Sequence, residues 1–154
     1  MKATTQVGFE DFVRAQASAL FRSAYLLVGN RQEAEDLLQE ALERTYRRWE
    51  RTSIDHPTAY VRRTMANLAT NRRRRRQPLT VALTTDHDTA AADETENVHQ
   101  RTALLRALDC LPPRQRVVLV LRYWEDMTER ETASSIGCSV GSVKRHAAYQ
   151  YRRP

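Results

Sequence analysis

The chain has 154 residues, enough for one ordinary domain or two small ones, with a formal net charge of +6 and a pI near 9.8. That basic balance calls for a polyanionic partner, while the absence of a long apolar run or an apolar leader core argues against membrane insertion or export. Two cysteines and four scattered histidines offer neither a disulfide framework nor a ligand cluster, so no metal or cofactor is expected, and reduced thiols suit the cytoplasm.

Gly and Pro are few, and the apolar positions recur at helical spacing, which predicts an all-α fold. Phe9, Phe12, Val13, Leu20, Phe21, Tyr25 and Leu26 build a first helical face from about Phe9. Gly29-Asn30 breaks it, and Asn30 followed by Glu33 has the form of a capping box. A long helix is expected from Arg31 to about Glu50, striped by Ala34, Leu37, Leu38, Ala41, Leu42 and Tyr46. Its acids, Glu33, Glu35, Asp36, Glu40 and Glu43, cluster near the positive end of the helix dipole. A loop then leads to Pro57, which suits the first turn of a third helix. On that helix Arg63, Asn67 and Asn71 are spaced i, i+4, i+8, so one side carries groups able to read base edges. It runs into five consecutive arginines at 72–76, whose mutual repulsion a phosphate backbone relieves by counterion release.

Residues 78–97 form the boundary between a first block, 1–77, and a second, 98–154. The stretch carries Asp86, Asp88, Asp93, Glu94 and Glu96 without Lys or Arg, and it predicts a flexible acidic tether. In the second block, Pro112 and Pro113 open a helix with the apolar run Val117 to Leu121. A short helix follows from Thr128 to Ile136, then the turn Gly137-Cys138-Ser139, then a helix from about Val140. Ala133 and Val143 flank the turn at the spacing two closely crossing helices need. The pattern is a helix-turn-helix whose last helix suits a DNA major groove. Ser139 and Ser142 can cap that helix and offer N–H groups to phosphate. No Ser/His/Asp set or P-loop is visible, so an enzyme is not expected.

Three stretches, in order, resemble the extracytoplasmic-function (ECF, group 4) sigma factors of bacterial RNA polymerase, a branch of the sigma-70 family. They are EAEDLLQEALERTYRRWE, PTAYVRRTMANLATNRRRRR, and Leu111 to Arg145 with its Leu-Pro-x-x-x-Arg, Leu-Arg-Tyr and Gly-Cys-Ser-Val-Gly-Ser-Val-Lys motifs. The resemblance implies two helical domains, sigma region 2 and region 4. It implies that Asp36, Leu37 and Gln39, with Glu40, dock on the β′ clamp helices of core polymerase. It implies that the loop Thr52 to His56 and the face of Arg63, Asn67 and Asn71, continued by Arg72, Arg73 and Arg74, bind the −10 element of promoter DNA. Arg122, Ser139, Ser142, Lys144, Arg145, Ala148 and Tyr149 would meet the −35 duplex. An anti-sigma factor and the β flap are further implied partners. Trp49 is expected to buttress the end of its helix, and Tyr123 and Trp124 to pack in the core or on the flap. Thr132 stands where the family usually has an apolar residue, and Ala148 where it is often larger. A LuxR-type regulator shares the helix-turn-helix, but the first block lacks the alternating strand–helix pattern of a receiver domain.

Overall fold

The computed structural model describes the backbone of residues 2–76 and 95–148, with side chains from 8–71, 100 and 102–148. The expected tether lies outside the described residues, except that its last three positions already belong to a helix. Among the described residues every regular element is helical.

Helix α1 (Lys2–Val28) starts earlier than Phe9 and ends at Gly29, where φ of +77° sets a left-handed residue that glycine adopts without strain. Asn30 then caps α2 (Arg31–Arg51), its side-chain oxygen accepting from the Glu33 N–H at 3.1 Å. The N-terminus of α3 (Pro57–Arg76) coincides with Pro57, as the missing N–H of proline favours. The three helices pack through Leu20, Leu27, Leu37, Val61 and Met65, interleaved with fully buried Ala24, Ala34, Ala41, Ala66 and Ala69. The alanines let the helix axes come close; the larger residues fill the space between them. Buried Thr45 and Thr70 donate back to the carbonyls of Ala41 and Ala66, so neither hydroxyl is orphaned.

The second block begins with α4 (Thr95–Asp109), three residues ahead of the expected Val98. Helix α5 (Pro113–Leu119) passes into a π-helical turn, Val120–Trp124, closed by the Glu125 N–H donating to the Val120 carbonyl at 3.0 Å. Helix α6 (Glu129–Ile136) carries a full capping box: Thr128 accepts from the Glu131 N–H, and the Glu131 carboxylate accepts from the Thr128 N–H. Gly137, at φ +68°, ends α6 and leads into α7 (Val140–Ala148). Ala133, Ile136 and Val143 are buried where the two helices cross, which completes the expected helix-turn-helix. Tyr123 and Trp124 do not pack in the core, one of the two places expected for them. They are 60 % and 51 % exposed, because the π turn swings them off the buried face that Val117 to Leu121 occupy.

The blocks are docked on each other, with α3 against α5 and α6 and α1 against the π turn. Arg116 is 1 % exposed and its Nε donates to the Leu26 carbonyl at 2.7 Å, across the boundary between blocks. Within its own block it also pairs with Asp109 at 2.5 Å. A second link joins Arg62 Nε to the Glu125 carboxylate at 2.8 Å.

Candidate nucleic-acid interface

Helix α3 separates packing from display. Val61, Met65, Leu68 and Ala69 are buried, while Arg63, Asn67 and Asn71 are exposed on the other side. The side-chain amide of Asn71 donates to the Asn67 carbonyl oxygen at 2.9 Å. That bond ties the two amides into one unit and leaves an N–H of Asn67 and the oxygen of Asn71 directed to solvent, a donor–acceptor set that fits a base edge. The α3 backbone continues through Arg72, Arg73 and Arg74, although their side chains lie outside the described residues. Before α3, the loop residues Thr52, Ser53, Asp55 and His56 are exposed. Arg48 lies over the Tyr60 ring at 5.4 Å, which holds a cation beside the start of this face.

Helix α7 shows the same separation. Val143 is wholly buried, whereas Ser139, Lys144, Arg145 and Ala148 are exposed and Ser142 half-buried. The Ser139 hydroxyl accepts from the Ser142 N–H at 3.1 Å and so caps the helix. Lys144 is 3.8 Å from the Glu129 carboxylate, a loose and exposed pair that a phosphate can displace. His146, on the same helix, has its pKa lowered by burial and then by Arg114 and Arg145. Tyr149 lies outside the described residues. Arg122 is half-buried, and its guanidinium donates to the Met127 carbonyl and pins the turn before α6.

On α2, Asp36 and Gln39 are exposed and Glu40 half-exposed, with Gln32 donating to Asp36 at 3.2 Å and Arg44 pairing with Glu40 at 3.2 Å. Leu37 corrects its expectation: it is fully buried in the three-helix core and cannot touch a partner. Leu38 takes its place, lining an open groove of about 420 Å³ with Phe9, Phe21, Leu42 and Tyr46 beneath a rim of Glu35, Gln39 and Glu43. The groove is apolar within and acidic at its edge, a shape suited to an amphipathic basic helix. The sequence places Leu42 in the core stripe, and Leu38 both in that stripe and beside the docking residues Asp36, Leu37 and Gln39. The signal was their offset by one position from Leu37 and Ala41, which turns them toward the edge of the buried face. Trp49 is the expected buttress, meeting Phe9 edge-to-face and Phe12 at a tilt, with both ring centroids 5.6 Å away.

Among the described residues no group of His, Cys, Asp and Glu could hold a metal ion, and no helix is long and apolar enough to cross a membrane. The geometry is thus two outward polar faces on separate blocks plus an acidic, apolar-floored groove.

Comparison with known proteins matches each block separately. The family model for sigma-70 region 2 matches residues 12–78, and that for sigma-70 region 4 matches residues 101–148. The chain is 43% identical over 137 residues to the RNA polymerase sigma-E factor of Streptomyces avermitilis, covering 88% of this chain and 76% of that protein. It is 31% identical over 143 residues to the ECF RNA polymerase sigma factor SigE of Mycolicibacterium smegmatis, covering 88% of this chain and 56% of that one. Among solved structures, the sigma factor RpoE of Bartonella quintana, in complex with the anti-sigma factor NepR, superimposes with a TM-score of 0.66 at 18% identity over 94% of this chain and 92% of that one. At that identity the likeness is one of fold.

Proposed function

Since the chain belongs to the sigma-70 family of RNA polymerase sigma factors, in its extracytoplasmic-function group, we propose that it directs core polymerase to promoters by reading a −10 element with the first block and a −35 element with the second. The observation that carries the reading is the display of two exposed polar helix faces, one per block, each backed by a buried one. Arg63 and the Asn67–Asn71 pair contact unstacked bases of the opened −10 strand, and Arg72, Arg73 and Arg74 hold its phosphates. Lys144, Arg145 and Ala148 enter the −35 major groove, while Ser139 and the N-terminus of α7 meet the backbone. Arg122 faces the −35 duplex while one guanidinium N–H fastens the Met127 carbonyl.

Core polymerase docks on α2. Asp36, Gln39 and Glu40 meet basic groups of the β′ clamp helices, and the Leu38–Leu42 groove takes an apolar side chain beside them. The second block meets the β flap, and exposed Tyr123 and Trp124 are suited to that contact. The first block comprises residues 1–77 and the second runs from the start of α4 at Thr95 to 154, with 78–94 as the tether between them. The protein acts in the cytoplasm, has no catalytic residue or cofactor of its own, and is held in check by an anti-sigma factor.

The test is run-off transcription with core polymerase on promoter DNA, alongside a core pull-down. Asp36→Arg with Gln39→Ala is expected to weaken core binding by roughly 2 kcal/mol or more, as loss of an interface hot spot does. Unchanged core affinity would overturn the assignment of α2. Specific duplex binding and regulation without core polymerase would favour the LuxR-type alternative.

A further inference from the structure

Positive charge gathers on one flank of α7, beside the outward face already described. Val143 is the buried side of that helix. At about 100° per residue, Arg145 and Ala148 lie opposite Val143, while Lys144 and His146 fall on the two flanks. Lys144 turns to α6, where the Glu129 carboxylate is 3.8 Å away. His146 is half-buried and turns to α5, where Arg114 stands close enough to act on its charge. One flank thus pairs a cation with an acid; the other sets an imidazole between two guanidiniums, Arg114 and Arg145. Arg31, Arg44, Arg62 and Arg116 each reach a carboxylate, but among the described residues neither Arg114 nor Arg145 does. The Arg114 Nε is moreover buried without a hydrogen bond. A desolvated guanidinium N–H without an acceptor is costly, and the neighbouring cation adds repulsion. An anion placed here supplies the acceptor and removes the repulsion.

Groove dimensions select the anion. The major groove is about 12 Å wide and a helix with its side chains about 10–12 Å across, so each flank of a seated helix meets one sugar–phosphate strand. With Arg145 and Ala148 directed at the bases, Lys144 falls to one strand and Arg114 with His146 to the other. A protein carboxylate would have to share that flank with the strand, so the occupant is a DNA phosphate. The imidazole then responds to it. In the free chain burial holds His146 below its ordinary value, and Arg114 of α5 and Arg145 of α7 press it in the same direction; Glu129 of α6 is spent on the opposite flank. A phosphate beside the ring favours the imidazolium, whose two N–H groups both donate. We propose that Arg114 and His146 form a phosphate site on the α5 flank of α7, and that His146 gains a proton as a −35 phosphate enters, so that promoter binding tightens as pH falls. The proposal rests on the −35 reading of α7 above and adds to it a strand contact and a proton.

Promoter binding by the full chain assembled with core polymerase, titrated against salt and pH, tests the site. Arg114→Ala should weaken binding by about tenfold on every −35 sequence alike and lower the salt slope by about one, as loss of one phosphate contact does. Arg114→Lys keeps the charge and should recover most of the affinity. Wild-type affinity should rise as pH falls from about 7.5 to about 6, by at most roughly tenfold per unit for one proton. His146→Gln should flatten that rise; the other histidines are common to both proteins, so the difference belongs to His146. Helix content by circular dichroism shows whether Arg114→Ala folds; if it does not, Arg114→Gln is read in the same way. An unchanged salt slope in the folded variant would overturn the phosphate contact, and equal pH slopes in wild type and His146→Gln would overturn the proton uptake. Loss of core binding by the Arg114 variant in a pull-down would give the cluster to an acidic surface of the polymerase and overturn the site. A wild type without promoter-specific run-off transcription would overturn the −35 reading and the proposal with it, whereas the variant outcomes overturn the proposal alone.

Discussion

Thr132 is wholly buried in α6 and its hydroxyl has no hydrogen-bond partner, unlike Thr45 and Thr70, which donate to the turn behind them. A buried hydroxyl left unpaired carries a desolvation penalty of about 1–3 kcal/mol. Thr132→Val removes the polar atom at nearly constant shape and is expected to stabilise the protein by about 1 kcal/mol, seen as a higher urea midpoint with unchanged slope. A lower midpoint would mean that the hydroxyl is bonded in solution. Asn67 tests the opposite kind of residue, exposed and bonded only to the exposed Asn71 amide. Its truncation should leave stability almost unchanged while removing a base contact that discriminates by about 1–3 kcal/mol. Asn67→Ala should therefore relax base preference at one or two −10 positions in a randomised-promoter selection. A uniform loss across all promoters would assign Asn67 to backbone contact. At this scale the sequence was legible where periodicity separated faces, as for Arg63, Asn67 and Asn71. It misled where adjacent leucines compete for one slot: Leu37 and Leu38 are chemically equal, and only packing against α1 and α3 shows which is inside.

Element boundaries were readable because their signals are local. Gly29-Asn30, Pro57, Thr128 and Gly137 each act through their own backbone or side chain, and each stands where the helices start or stop. The π turn was not readable, since its register depends on what α5 packs against. Helix α7 carries its own pH dependence. Burial and the charges of Arg114 and Arg145 hold His146 below the ordinary histidine value of 6.5. The unfolded chain then binds the proton more readily than the folded one. Stability should be full above about pH 6.5 and decline as pH falls below it and down through the folded value. Melting temperatures measured between pH 8 and 5.5 should drop in the wild type and drop less in His146→Gln. Equal slopes would remove His146 as the source.

Across the whole molecule, both blocks and their order could be read from motifs, but their docking could not. Nothing in the sequence distinguishes Arg116 from the many other arginines until α1 is folded and presents the Leu26 carbonyl to it. Gly29 couples the two blocks: its positive φ strains any side chain, and its missing Cβ makes room for Arg116. Gly29→Ala should loosen the seat while sparing the core of each block. A wild type that unfolds in one thermal transition should then unfold in two, resolved by calorimetry. A single shifted transition would show that Gly29 matters only to α1. The π turn has a different consequence, for comparison between chains. Its i→i+5 closure packs one more residue into the same axial length than a regular helix holds. A relative with an unbroken α-helix there is one residue shorter between the end of α5 and the start of α6, so a gapless correspondence slips by one place inside the turn. Arg122 stands within that turn, where its guanidinium fastens the Met127 carbonyl.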